Sequence, residues 1–275
     1  MVACVLMTVL RTKLRTNLRT SDQEFMWPYP KIVAHRGGGS LAPENTLAGL
    51  RCGLAYGFHA VEFDVMLSRD GIGVVMHDPE LGRTVKGTGN VSGYTAGQLG
   101  AMDAGSWFGA GFASETVPTL VQFIEYCKTE RIWMNIEIKP ASGFEAETGR
   151  VVAALTREYF AAEIEAGDLA SVPLLASFCT EALAAARLAA PDLPRALLVD
   201  RLGAGWEAQA RALGAAALHT NHRHLTSGLA RAVKQAGFGL FCYTVNDPQR
   251  AREILAWGVD GFCTDRIDLI GPAFS

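Results

Sequence analysis

Eight short apolar runs, separated by stretches of helical character, constrain this sequence more than any other feature. They lie at residues 32–34, 60–65, 132–138, 173–177, 195–199, 215–219, 240–245 and 261–264. Most are β-branched or apolar throughout, the pattern of strands covered on both faces. Between them fall amphipathic or alanine-rich segments at 47–56, 120–130, 145–159, 181–189, 204–213, 225–236 and 248–257. Eight such strands with seven intervening helices predict an α/β fold, a (β/α)8 TIM barrel of parallel strands. A length of 275 residues suits one such domain.

One run breaks the alternation. Residues 73–76 follow the second run too closely for a helix, and Ser68-Arg69-Asp70-Gly71 reads as a turn. Residues 62–66 and 74–78 are therefore predicted to form an antiparallel hairpin. A turn centred between Asp70 and Gly71 places Asp64 opposite His77. Residues 81–118 are rich in Gly, Thr and Ser and read as a small insertion over the barrel mouth. The predicted domain is residues 30–275. Residues 1–29 are expected to be a disordered or non-native extension: the first ten are apolar and Leu-Arg-Thr repeats follow, the reverse of a secretory signal. Met26 reads as the natural start.

Composition narrows the function. A net charge of −3 gives no basic face for nucleic acid. No apolar run approaches the ~20 residues of a membrane span. The six cysteines are scattered without a Cys-x-x-Cys pair, as in a reduced cytoplasmic protein, and argue against a zinc-thiolate site.

Polar residues at the carboxyl ends of barrel strands point to the active-site face. The first strand ends in His35 and Arg36 followed by three glycines, a proton carrier and an anion fork on an open backbone; a capped strand end with a surface arginine is the plainer reading. In the second, Glu62 and Asp64 stand two apart on one face of an otherwise apolar run. Two buried like charges are costly unless a cation neutralises them, and oxygen ligands suit Mg²⁺ or Ca²⁺. The alternative is that one of the two leaves the barrel face and pairs with a surface lysine. Glu137 and Lys139 repeat the two-residue spacing, either as a third ligand with a phosphate-binding ammonium or as a self-contained ion pair. His77, brought over Asp64 by the hairpin, gives a second imidazole suited to acid–base work. The cluster from His219 to His224 reads as a loop after a strand, with His219 or Asn221 near the substrate, and Asn246-Asp247-Pro248 as a helix N-cap.

Taken in order, His35-Arg36-Gly37, Pro43-Glu44-Asn45-Thr46, Glu62-x-Asp64, His77-Asp78, Glu137-x-Lys139, Tyr243-Thr244-Val245-Asn246 and Thr264-Asp265 closely resemble the glycerophosphodiester phosphodiesterase family over roughly residues 32–270. The layout looks most like the bacterial cytosolic members. The resemblance implies hydrolysis of glycerophosphodiesters to glycerol 3-phosphate and an alcohol, in phospholipid catabolism. It implies His35 and His77 as the acid–base pair, and Glu62, Asp64 and Glu137 as ligands of a divalent Mg²⁺ or Ca²⁺ ion. Arg36 and Lys139 would bind the phosphate. Glu44 would support the site by orienting Arg36 or approaching the metal, and Tyr243 would line the substrate pocket. The chain departs from the pattern at Tyr243, where relatives often carry Trp, and in a three-glycine run longer than needed. The expected partner is the small-molecule substrate, with a homo-oligomer left open. The alternatives are a barrel phosphodiesterase acting on intact lipids, like a sphingomyelinase D or lysophospholipase D, with Trp107 and Phe108 as its docking residues, or a non-catalytic barrel that only binds phosphodiesters.

Overall fold

A computed structural model describes residues 25–275. Along the chain the elements are β1 (Ile32–His35), α1 (Leu47–Ala55), β2 (Ala60–Leu67), β3 (Gly73–Val75), α2 (Ala96–Leu99), α3 (Leu120–Thr129), β4 (Trp133–Ile138), α4 (Glu145–Tyr159), α5 (Ala161–Ala166), β5 (Leu174–Ser177), α6 (Thr180–Ala189), β6 (Arg195–Val199), α7 (Trp206–Leu213), β7 (Ala217–Asn221), α8 (Ser227–Gln235), β8 (Gly239–Tyr243), α9 (Pro248–Ala256) and β9 (Gly261–Thr264). The parallel strands run β1-β2-β4-β5-β6-β7-β8-β9 and close when β9 pairs with β1. The expected TIM barrel is thus the observed one.

Strand boundaries shift where helix ends claim residues. The run expected at 215–219 is strand from Ala217, because Gly214 takes φ 62° and the Ala215 N–H donates back to the Ala210 carbonyl, completing the end of α7. Asp247 caps α9 as expected, with Pro248 in its first turn. The short helix α5, ended by Gly167 at φ 70°, has no counterpart among the expected helices.

The hairpin register differs by one residue from the predicted one. Ser68 closes a five-residue turn: its N–H bonds the Ile72 carbonyl at 3.0 Å, and its hydroxyl reaches Asp70 at 2.6 Å. The turn is centred on Asp70, so Val65 pairs with Val75 and Asp64 faces Met76. His77 lies beyond the end of β3, where strict alternation of faces no longer applies. β2 is the longest strand; its first half borders β1 and its last three residues border β3. It therefore overshoots the rim and carries the insertion to the mouth. The insertion packs Leu81, Val85, Val91 and Leu99 onto Met66, Val74 and Met76 of the hairpin, and so shares its core with the barrel.

Residues 25–29, assigned to the extension by sequence, belong to the folded unit. Phe25 and Tyr29 are 5% exposed. Trp27 stacks on Phe241 at 5.8 Å and Tyr29 on Trp133 at 4.4 Å, so the aromatics plug the barrel at the amino ends of its strands. The rest of the predicted extension, residues 1–24, lies outside the described residues. Removing one buried aromatic leaves a cavity, and Phe25→Ala should cost about 3–5 kcal/mol of stability. Urea unfolding checks this; a midpoint unchanged from wild type would show that the plug adds nothing.

Candidate active site

The parallel register of three strands builds the site in two rows. His35 lies beside Glu62, and Glu62 beside Asn135; one step higher, Asp64 lies beside Glu137. Ligand oxygens of Glu62, Asp64 and Glu137 all fall within 4.8 Å of one another. Glu62 and Asp64 are buried, and Glu62 Oε2 makes no hydrogen bond among the described residues. Burial, and then the neighbouring Asp64 charge, raise the pKa of both Glu62 and Glu137 well above the usual carboxylate range. Asp64 is held low instead: burial opposes its charge, but Arg36, Lys139 and His77 outweigh that cost together with the 2.9 Å hydrogen bond from Asn45 Nδ2. Arg36 and Lys139 serve chiefly Asp64, and the two glutamates remain raised. Three convergent carboxylate ligands, two buried and one half-buried, fit a hard divalent cation.

The turn after β1 aims the cations. Arg36 sits at φ 51° and Gly37 at φ 95°. A Cβ on Gly37 would approach the Gly49 carbonyl carbon to 2.8 Å, and one on Gly39 would approach the Asp265 oxygen to 2.3 Å. The three-glycine run is therefore needed for close packing, contrary to the reading that it is longer than required. A left-handed arginine carries about 1–3 kcal/mol of strain, and here that conformation brings Arg36 Nε to 3.4 Å from Asp64. Lys139 Nζ lies 3.5 Å from Asp64 and 3.9 Å from Glu137.

The two histidines are held by different carboxylates. His35 Nδ1 lies 2.5 Å from Asp265, leaving Nε2 toward Glu62 at 3.6 Å. Asp265 is itself fixed by Asn246, which donates to its carboxylate at 2.8 Å and accepts its backbone N–H at 2.8 Å. His77 Nδ1 lies 2.7 Å from Asp78. Burial lowers the pKa of both rings. At His35 the Asp265 hydrogen bond and the Glu62 charge outweigh burial, and the net shift is upward. At His77, Arg36 and Lys139 add to burial, and the net shift is downward.

His35, Arg36, Glu62, His77, Glu137, Lys139 and Tyr243 line one cavity of about 250 Å³, with Asp64 beside them. The Tyr243 hydroxyl donates to the Val199 carbonyl at 3.0 Å, so the ring serves as a wall and packs edge-on against Phe178 at 5.7 Å. Glu44 stands behind Arg36. Its Oε1 accepts from Arg36 at 2.8 Å, and both its oxygens accept from Arg83, at 2.7 and 2.8 Å. Arg83 also donates to Asp78 at 2.6 Å.

Several groups were given no role by the sequence reading. Asp265 and Asn246, present there only as motif residues, lie just past the ends of β9 and β8, the one signal that could have marked their role. Asn135 shares a strand face with Glu137 two residues on. Arg83 lies in the aperiodic insertion and carries no such mark. His219 lies within β7 rather than in a loop, and it lines the cavity. Asn221 instead bonds Asp200.

A closed barrel whose mouth gathers three carboxylates, two imidazoles and two phosphate-seeking cations defines a class: a barrel hydrolase of phosphoric diesters. Comparisons with known proteins agree. The model of the glycerophosphoryl diester phosphodiesterase family matches residues 35–269, and the chain belongs to that family. The YhdW protein of Bacillus subtilis is 32% identical over 246 residues, covering 87% of this chain and 96% of that protein. A glycerophosphodiester phosphodiesterase of Caldanaerobacter subterraneus subsp. tengcongensis is 32% identical over 235 residues, covering 85% and 93%. The structure of an Oleispira antarctica phosphodiesterase in complex with the product sn-glycerol-3-phosphate superposes with a TM-score of 0.77 at 34% identity, covering 86% of this chain and 93% of that one.

Proposed function

We propose that this enzyme hydrolyses glycerophosphodiesters to sn-glycerol 3-phosphate and an alcohol, by metal-assisted acid–base catalysis with His35 and His77. The observation that carries the reading is the convergence of Glu62, Asp64 and Glu137 within 4.8 Å, beside two imidazoles. The product held by the Oleispira relative supports the substrate class.

Glu62, Asp64 and Glu137 would hold a divalent ion, Mg²⁺ or Ca²⁺. Such an ion supplies Lewis acidity and cancels the ground-state charge of the phosphate. Arg36 and Lys139 bind non-bridging phosphate oxygens and stabilise the charge that builds on them. Glu44 holds Arg36 in place. The opposed pKa shifts support one division of labour between the proton carriers. His77, kept neutral, takes the proton of the attacking hydroxyl. His35, kept protonated by Asp265, gives its proton to the leaving alkoxide. Tyr243 closes one wall of the cavity.

The cysteines among the described residues are free, two of them half-buried and three buried, the state kept in a reducing compartment, which supports a cytoplasmic enzyme of phospholipid breakdown. No helix among the described residues is long and apolar enough to cross a membrane. Of the large exposed apolar side chains, Ile72, Trp107, Phe178 and Leu188 belong to separate elements, and Phe108 packs between Trp107 and Phe112, which offers little to the intact-lipid reading. Incubation with glycerophosphoethanolamine should release sn-glycerol 3-phosphate, read by a coupled dehydrogenase. Phosphoethanolamine as the phosphorylated product would reject the reading.

A further inference from the structure

The cavity also holds two polar side chains that the proposed mechanism does not use. His219 is 1% exposed and Asn135 is 2% exposed. Both line the cavity, and neither His219 Nε2 nor Asn135 Oδ1 has a hydrogen-bond partner among the described residues. The His219 ring rests on Phe241 with centroids 4.7 Å apart, and Phe241 in turn rests on Trp27 of the aromatic plug. The imidazole is therefore supported by packing on a closed base. A buried polar atom left unbonded costs about 1–3 kcal/mol, and two facing one cavity indicate a ligand that bonds both.

We propose that His219 and Asn135 form a hydroxyl-reading floor that binds the polyol half of the substrate and rejects esters lacking a hydroxyl there. A hydroxyl both donates and accepts, so one such group serves an imidazole nitrogen and an amide oxygen together. Burial pushes the His219 pKa down to about 3, which keeps the ring neutral. A neutral ring takes a hydroxyl and offers no charge to the phosphate. The spacing fits as well. Asn135, Glu137 and Lys139 share one strand face. The amide thus lies level with Glu62 and two residues below Glu137, roughly 7 Å along the strand, within the reach of a three-carbon polyol whose phosphate sits at the rim. The proposal rests on glycerophosphodiesters being the substrates.

The test compares glycerophosphoethanolamine with propyl phosphoethanolamine, which lacks both hydroxyls, with free ethanolamine as the readout. Wild type should favour the glycerol ester by ~10²-fold or more in kcat/KM, since a site built to bond a hydroxyl discriminates strongly against its absence. His219→Phe keeps a ring on Phe241 and removes both nitrogens. It should narrow the preference at least about ten-fold by slowing the glycerol ester alone. Asn135→Leu should narrow it in the same direction, with circular dichroism and thermal melting checking the fold of each variant. A wild type that treats the two esters alike overturns the floor while leaving the phosphodiesterase reading in place. A preference that His219→Phe leaves unchanged, both esters slowing equally, makes His219 a packing residue only. Absence of sn-glycerol 3-phosphate from wild-type reactions overturns the substrate reading itself, and the floor with it.

Discussion

Dialysis against EDTA should abolish turnover, and Mg²⁺ or Ca²⁺ should restore it. The reason is the charge balance at the rim, where three carboxylates converge and the charged forms of Glu62 and Glu137 are disfavoured. The same imbalance gives a readout independent of activity. An ion that binds only the folded state raises its stability by mass action, so the melting temperature should climb on adding the ion. The pH dependence follows from the direction of the shifts. Glu62 and Glu137 are raised in the folded state, which therefore holds more protons than the unfolded chain above the ordinary Glu value of 4.5. Stability of the metal-free protein should fall as pH rises through that window, and saturating ion should flatten the fall. Turnover indifferent to chelation would remove the metal from the mechanism.

Alanine at either proposed catalytic histidine should lower kcat by ~10²-fold or more, the usual value of a positioned proton carrier. The two variants should differ in their pH profiles. In the proposed mechanism His77 acts neutral, so wild-type activity should be lost on the acid side as His77 takes a proton, below its lowered pKa. His35 there acts protonated, so activity should be lost on the alkaline side, above its raised pKa. His77→Ala should flatten the acid limb of the residual activity, and His35→Ala the alkaline limb. A variant retaining most of its activity would take that histidine out of proton transfer.

The barrel was legible because each parallel strand is covered on both faces and so reads as a continuous apolar run. The carboxylates were legible for the converse reason: Glu62 and Asp64 interrupt such a run at the period of one strand face. Asp265 was not, because its claim on His35 spans 230 positions and leaves no local pattern. The hairpin register failed by one residue because the Ser68 side chain set the length of the turn. Residues 25–29 were misassigned because three aromatics in an irregular segment carry no period, and their partners Trp133 and Phe241 lie far along the chain.

Arg83 bears on how such enzymes can be re-engineered. One guanidinium from the insertion grips both Glu44, which holds Arg36, and Asp78, which holds His77. The segment over the mouth is thus no interchangeable cover. A chimera that transplants this segment from a relative would inherit a working centre only if the donor supplied a cation able to bridge the same two acids.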